Sequence, residues 1–143
     1  MIDIRRSALV PFTPAQMFAL VNDVEAYPKR FAWCVGADVT SHDENSLTAR
    51  LDLRFAGMRH SFATRNTLHR PDRIEMNLVG GPLRSLRGVW TFEPRGDNGS
   101  KIELDLSFEV ANRLLGSALG LGFRTLADKM VDDFCAEARR AYG

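Results

Sequence analysis

The sequence has 143 residues, of which 45% are hydrophobic and 26% are charged. This length and balance are those of an ordinary globular protein with a core of its own, so we expect one domain over residues 1–143. The formal net charge of +1 excludes the bulk electrostatic attraction on which DNA-binding proteins rely, and we expect no DNA partner.

The N-terminal part predicts a strand followed by two short helices. Residues 2–12 form the strand segment. Thr13 and Pro14 then suit the N-cap and the first position of a helix. A second short helix is predicted over residues 24–30, with Pro28 inside it.

The middle of the chain has the two-residue period of half-buried strands. In residues 47–55, LTARLDLRF, apolar and polar side chains alternate along the segment. Five further segments are predicted as strands: 35–41, 58–68, 73–79, 86–94 and 101–110. Together with 2–12 and 47–55 they predict about seven antiparallel strands.

A helical period returns near the C-terminus. From Asn112 to about Tyr142, apolar residues recur at spacings of three and four, which predicts one long amphipathic helix. A sheet with a continuous apolar face must bury that face, and no other predicted helix is long enough to cover it. We therefore expect an α+β protein with the helix-grip fold, in which a curved antiparallel sheet of about seven strands surrounds this helix.

The predicted inner face is almost wholly apolar, and three polar residues interrupt it: His60, Thr64 and Asn66. Small residues leave room between sheet and helix: Ala49, Gly88, Ala118 and Gly122. Each large apolar residue taken alone is better explained as plain core, and only the whole set indicates a pocket. We expect the pocket to consist of Phe62, Met76, Leu78, Trp90, Phe92, Leu119, Phe123 and Met130, with Leu83 and Leu86 at its rim.

Two features of this face leave alternatives open. One extra residue in the strand after Gly57 would exchange Thr64 and Arg65 between the two faces. The apolar segment 114–123 suits a gate over the pocket, close helix–sheet packing or an approach to a membrane interface.

The titratable residues do not indicate catalysis. The three histidines lack the spacing of metal ligands, and His60 is better explained as a core histidine than as a general base. We therefore expect no enzyme, no catalytic residue, no metal and no catalytic cofactor. On the outer face we expect cross-strand pairs between Arg50, Arg54 or Arg87 and the acidic residues Glu103, Asp105 and Glu109.

Cys34 and Cys135 are the two cysteines, and they lack the C-x-x-C spacing. We expect both to be reduced thiols. No apolar run approaches the roughly 20 residues of a membrane span, and the N-terminus lacks the apolar run of a signal peptide. These features predict a cytoplasmic protein, with a peripheral position at the inner membrane as an additional expectation.

Three long segments resemble the signature segments of a known family: residues 8–34, 62–68 and 76–92, the last reading MNLVGGPLRSLRGVWTF. They resemble the coenzyme Q-binding/ribosome-association toxin RatA family, within the START-like polyketide cyclase and lipid-transport superfamily. The resemblance covers nearly the whole chain in the same order and implies the helix-grip fold. Two positions depart from the pattern: Gly80 stands where the family usually has an acidic residue, and Ala32 where a proline is common.

The resemblance implies non-catalytic binding of a hydrophobic ligand, ubiquinone or a polyisoprenoid lipid, by a quinone chaperone that supports respiration. The alternative it implies is a toxin that binds the large ribosomal subunit and blocks subunit association. A polyketide cyclase-like enzyme is a second alternative, which the lack of an acid–base pair disfavours. The expected partners are thus a hydrophobic small molecule, a membrane surface and the large ribosomal subunit, with candidate rim or ribosome contacts at Arg65, Arg84 and Arg87.

Overall fold

The computed structural model describes residues 1–55, 57–111 and 118–143, and in these residues seven strands form one antiparallel sheet. Their order across the sheet is β1-β7-β6-β5-β4-β3-β2, so each strand from β2 to β6 pairs with the next one in sequence and β1 lies beside β7. The strands are β1 (Ile2–Val10), β2 (Cys34–His42), β3 (Ser46–Phe55), β4 (Met58–His69), β5 (Arg73–Gly80), β6 (Ser85–Arg95) and β7 (Gly99–Glu109).

Two short helices connect β1 to β2. Helix α1 (Pro14–Asn22) begins with a capping box, in which the Gln16 N–H donates to the Thr13 hydroxyl at 3.2 Å and the Thr13 N–H donates to the Gln16 side chain at 2.8 Å. The predicted helix over residues 24–30 is two pieces, a 3₁₀ turn (Val24–Ala26) and helix α2 (Tyr27–Arg30). Pro28 lies in the first turn of α2, where its missing N–H is tolerated.

Helix α3 (Ala118–Tyr142) covers the inner face of the sheet. The ring centroid of Phe123 lies 4.8 Å from that of Phe108 on β7, and Phe134 lies 5.1 Å from Trp90 on β6. The arrangement confirms the predicted helix-grip fold. The predicted helix start at Asn112 lies outside the described residues.

The predicted phase of β4 is correct, although its pairing with β5 is irregular. The β4–β5 register shifts at Ala63 and Thr64, which pair with Gly80 and Leu78. Despite this shift, Asn66 is buried and Arg65 is exposed. Arg65 therefore lies on the outer face, as the alternating pattern predicts.

The predicted cross-strand ion pairs are wrong for Arg50 and Asp105. Three strands separate β3 from β7, so the two side chains lie far apart. Arg50 instead contacts Asp38 on β2 at 2.6 Å, and Asp105 contacts Arg5 on β1 at 3.0 Å. The spatial order of the strands, which alternation does not reveal, selects these partners.

Within the described residues, no helix combines the length and the hydropathy that crossing a bilayer requires.

Candidate ligand site

A cavity of about 90 Å³ lies between the inner face of the sheet and α3; we call it the inner cavity. Its walls come from β3 to β7, from α3 and from the segment around α2. Six of the predicted pocket residues line it: Phe62, Met76, Leu86, Trp90, Phe123 and Met130.

The other four predicted pocket residues lie elsewhere. Phe92 is 2% exposed and packs its ring 5.8 Å from that of Phe18 on α1, so it belongs to the core beside the cavity. Leu83 is buried in the loop between β5 and β6. Leu78 and Leu119 are half-buried against the core.

Several lining residues were not predicted as pocket residues. Leu51, Leu104 and Leu106 follow from the inward phase of β3 and β7, which does signal them. Tyr27 and Trp33 lie in and beyond α2, where no periodic pattern marks a side chain as inward. Only a three-dimensional arrangement brings these two rings to the cavity.

The inner cavity is smaller than the roughly 300–1,000 Å³ of most small-molecule pockets. Large rings fill the concavity of the sheet, since Trp90 and Phe134 are each almost fully buried. Met76 and Met130 are half-buried cavity residues with flexible side chains. A ligand ring therefore requires these methionines to move, and the small residues alone do not leave the space that the sequence suggested.

An open groove of about 470 Å³ runs beside the cavity, between the end of β3 and the first turns of α3; we call it the outer groove. Its exposed lining is mostly apolar, from residues such as Phe55 and Leu121, and three charged residues also border it: Arg54, Lys129 and Asp133. Trp33 borders both the inner cavity and the outer groove, so the two spaces adjoin at this residue.

The polar groups at the cavity are neutral. Thr64 donates its hydroxyl hydrogen to Oδ1 of Asn66 at 3.1 Å. The Tyr27 hydroxyl donates to the carbonyl of Val21, and burial raises the pKa of Tyr27, so the phenol stays protonated. Trp33 Nε1 donates to Oδ2 of Asp133 at 3.0 Å.

Few of the described groups at the inner cavity suit acid–base catalysis or metal binding. Among the described residues, the cavity lining contains no histidine and no carboxylate. His60 stacks on Phe55 at 4.4 Å, outside that lining, and its Nε2 atom has no hydrogen-bond partner in the part of the chain described. In the same residues, no group of three His, Cys, Asp or Glu side chains is placed to hold a metal ion.

Comparison with known proteins supports a specific family. Residues 10–135 match the family model for polyketide cyclase/dehydrase and lipid transport. The chain is 41% identical over 140 residues to the ribosome association toxin RatA of Pseudomonas aeruginosa, with 98% of this chain and 97% of the relative covered. The chain belongs to the coenzyme Q-binding/RatA family of START-like proteins.

More distant matches extend across the superfamily. Coenzyme Q-binding protein coq10 of Schizosaccharomyces pombe is 22% identical over 143 residues, covering 94% of this chain and 85% of that protein. The solution structure of the 18 kDa protein CC1736 from Caulobacter crescentus is 30% identical with a TM-score of 0.76, covering 100% and 99% of the two chains. The Zhui aromatase/cyclase of Streptomyces sp. R1128 is 15% identical with a TM-score of 0.81, covering 97% and 94%, and so shares the fold.

The departure from the RatA-family pattern at Gly80 is not imposed by packing. Gly80 is exposed at the end of β5, and a Cβ atom added there would have no neighbour within 4 Å. An acidic side chain would fit at this position. This chain therefore lacks a carboxylate at the rim for reasons other than space.

The three candidate arginines lie in two places. Arg84 lies in the loop before β6, next to Glu109 at 3.6 Å. Arg65 and Arg87 are exposed on the outer face, where Asn77 of β5 pairs with both. Because neighbouring strands are about 4.8 Å apart, the backbones of Arg65 and Arg87 lie about 10 Å from each other. Both side chains are on the face of the sheet that is turned away from the inner cavity.

Proposed function

We propose that this protein binds an apolar ligand of the quinone or polyisoprenoid class between its sheet and α3, as a carrier and without catalysing a reaction on it. The observation that supports this proposal is the pair of adjoining apolar spaces that share Trp33 as a wall. Sites for small molecules combine such apolar walls with a few polar groups. Membership in a family that includes coq10 supports the same ligand class.

The geometry supports a division of the ligand between the two spaces. A ring enters the inner cavity as Met76 and Met130 shift, and an isoprenoid tail follows the outer groove past Ala118 and Gly122. Burial of about ten methylene-sized groups contributes roughly 8 kcal/mol before the cost of association. We therefore expect micromolar affinity, which suits a carrier that must release its cargo.

The end of the sheet beside the outer groove supports a membrane as the source of the ligand. Met58, Val79 and Leu121 are 61%, 64% and 59% exposed, and each lies at this end. Exposed apolar side chains of this kind favour contact with a lipid interface. The proposal places the protein in the cytoplasm, with peripheral contact at the inner membrane.

The experiment that tests ligand binding is extraction of the protein purified from a quinone-producing bacterium, followed by mass spectrometry. We expect a near-stoichiometric quinone or isoprenoid. Ala49 lines the inner cavity, so Ala49→Leu should reduce ligand occupancy at least fivefold because the added side chain fills the space. The matched control is Ala63→Leu, which makes the same change on the outer face of the neighbouring strand β4. An empty wild-type protein, or equal occupancy in both variants, would argue against the carrier.

Ribosome association is the second candidate function, favoured by relatives that are about 40% identical over the whole chain and are named for it. On this proposal Arg65 and Arg87 contact phosphates of ribosomal RNA. Both are exposed, and within the described residues neither lies within ion-pair distance of a carboxylate. Two exposed arginines whose backbones lie about 10 Å apart suit contacts to a phosphate backbone.

Co-sedimentation with the large ribosomal subunit tests this candidate. The double variant Arg65→Glu/Arg87→Glu should leave the ribosomal fraction, because two attractive contacts become repulsive. The matched control Arg95→Glu/Arg139→Glu makes the same charge change at the opposite end of the molecule and should remain bound. If both double variants sediment like the wild type, these two arginines do not contact the ribosome.

A further inference from the structure

Two neighbouring polar side chains, Thr64 and Asn66, stand on the wall of the otherwise apolar inner cavity. Both project from β4 toward α3. Their position is defined by register: Thr64 lies opposite Ala49 on β3, and Asn66 lies opposite Met76 on β5. The small side chain of Ala49 leaves the space beside this polar pair open.

The hydrogen-bonding capacity of the pair is only partly used. Thr64 gives its one hydroxyl hydrogen to Oδ1 of Asn66. The amide nitrogen of Asn66 carries two further hydrogens. Within the described residues, Thr64 is the one hydrogen-bond partner of this side chain, and Asn66 is 7% exposed. No described residue accepts from these hydrogens, and the amide nitrogen is not among the fully buried atoms without a partner, so it is an unused donor that retains accessible surface.

These unused N–H groups are available to a ligand, and a ligand oxygen that accepts from them gains a hydrogen bond in a largely apolar site. Two of the three other side-chain donors at the cavity are less suited to this role. Tyr27 and Trp33 already donate to protein oxygens, which leaves the indole of Trp90 as the remaining donor on the lining. Thr64 and Asn66 thus mark one place on the wall for an acceptor oxygen.

We infer that Thr64 and Asn66 anchor a carbonyl oxygen of the ligand, and that the site selects an oxidised, ring-carbonyl ligand over a hydrocarbon of the same shape. This inference rests on the proposed ligand-binding function. Thr64 fixes the amide so that its N–H groups face the cavity, and Asn66 makes the contact. A carbonyl accepts from these groups directly, whereas a hydrocarbon leaves them unpaired.

The experiment uses two probes that differ in two oxygens. Tetramethyl-1,4-benzoquinone and 1,2,4,5-tetramethylbenzene share one ring outline, and full substitution of the quinone prevents its addition to the two thiols. Titration calorimetry on the purified protein should show about tenfold tighter binding of the quinone, the value expected of one or two net hydrogen bonds.

Two variants distinguish the hydrogen bond from Asn66 to the ligand from apolar packing around the ligand. Asn66→Leu should remove the preference for the quinone and leave binding of the hydrocarbon unchanged or tighter. Thr64→Val keeps the side-chain shape and should reduce the preference about threefold, because the amide loses the group that orients it. Thr67→Val makes the same change on the opposite face of β4 and should leave both affinities unchanged.

A third variant tests the polarity of the anchor. Asn66→Asp replaces the donor with acceptor oxygens, so under anaerobic conditions tetramethylhydroquinone, which donates, should bind at least as well as the quinone. The same two compounds should favour the quinone in the wild type.

The outcomes distinguish this inference from the function on which it rests. If the wild type binds both probes equally and Asn66→Leu changes neither affinity, the anchor is overturned while the apolar site stands. If the wild type binds neither probe and yields no extracted ligand, the proposed function fails and the anchor fails with it. Thermal melts of each variant show whether lost binding reflects lost folding. A variant that melts like the wild type and has lost only the preference supports the anchor.

Discussion

Asp52 is a buried carboxylate on the outer face of β3, where alternation predicts an exposed residue. Ser61 donates to its Oδ1 at 2.5 Å, and Arg59 donates to its Oδ2 at 2.6 Å. The hydrogen bond from Ser61, followed by that from Arg59, lowers the pKa of Asp52. The carboxylate fits because Gly36 faces it on β2, and a Cβ there would stand 2.5 Å from Oδ2.

A double-mutant cycle tests this arrangement. Gly36→Ala should lower the free energy of unfolding by about 1–2 kcal/mol, since the new methyl group displaces the carboxylate from its donors. In an Asp52→Ala background the same change should be neutral or stabilising, because alanine restricts the unfolded chain more than glycine. Urea unfolding of the wild type, the two single variants and the double variant gives the coupling free energy between positions 36 and 52. Additive effects, within about 0.3 kcal/mol, would show that the two positions do not interact.

The alternating pattern predicts the inward apolar residues of β3 and β4 but does not predict that Asp52 is buried. Alternation gives the phase of β3 and β4 correctly, so Phe62 and Asn66 are placed inward. It does not give the partner of each residue across the sheet. The pairing of β2 with β3 contains irregular steps, and only that register brings Gly36 opposite Asp52.

Glu137 links two helices. It lies on α3, is 7% exposed and accepts from Arg30 of α2 at 2.9 Å. Arg140, one turn further along α3, also donates to it. The hydrogen bond from Arg140 lowers the pKa of Glu137 most, and the hydrogen bond from Arg30 lowers it further. This interaction holds the C-terminal half of α3 against the α2 segment.

The lowered pKa gives a signed prediction for stability against pH. A carboxylate whose pKa falls on folding stabilises the protein above its usual pKa, here 4.5, and loses that contribution as the pH falls through the folded value. Glu137→Gln should therefore be about 2 kcal/mol less stable at neutral pH and should lose less stability on acidification. Urea midpoints between pH 7 and pH 3 provide the measurement, with the exposed Glu44→Gln as control. Parallel pH curves for wild type and Glu137→Gln would contradict the prediction.

The elements themselves are largely predictable from the sequence. Two-residue alternation and helical spacing identify the seven described strands, α1 and the described part of α3, with strand bounds correct to within a few residues. The helical segment 24–30 also has its predicted bounds, but a 3₁₀ turn and a four-residue helix are too short for a periodic pattern that would mark inward side chains. Trp33 follows that region, and its role in the site is missed for the same reason.

For the whole molecule, the two candidate functions use different surfaces. The proposed ligand site lies between the sheet and α3, whereas Arg65 and Arg87 project from the outer face. Variants on one surface should therefore leave the other activity intact. The size of the cavity is the property that the sequence could not give, since it depends on how closely Trp90, Phe123 and Phe134 pack in three dimensions.

Trp33 is the structural link between the outer groove and the inner cavity. Its indole stacks on Phe31 with ring centroids 4.7 Å apart and an interplanar angle of 13°. Its Nε1 atom donates to Asp133 on α3, which itself borders the outer groove. A ligand ring that passes from groove to cavity must therefore move an indole held by a stack on one side and a hydrogen bond on the other.

Removing that hydrogen bond should change rates more than affinity. In Asp133→Ala the indole keeps its stack but loses its contact with α3, so the barrier to passage falls while the bound state is unaffected. Stopped-flow quenching of the fluorescence of Trp33 and Trp90 by tetramethyl-1,4-benzoquinone should show association and dissociation rates that both rise about threefold to tenfold. Asp132→Ala, at the neighbouring exposed position, is the control. A rise confined to the dissociation rate would mean that Asp133 stabilises the bound complex, because a group acting only on the barrier must change both rates by the same factor.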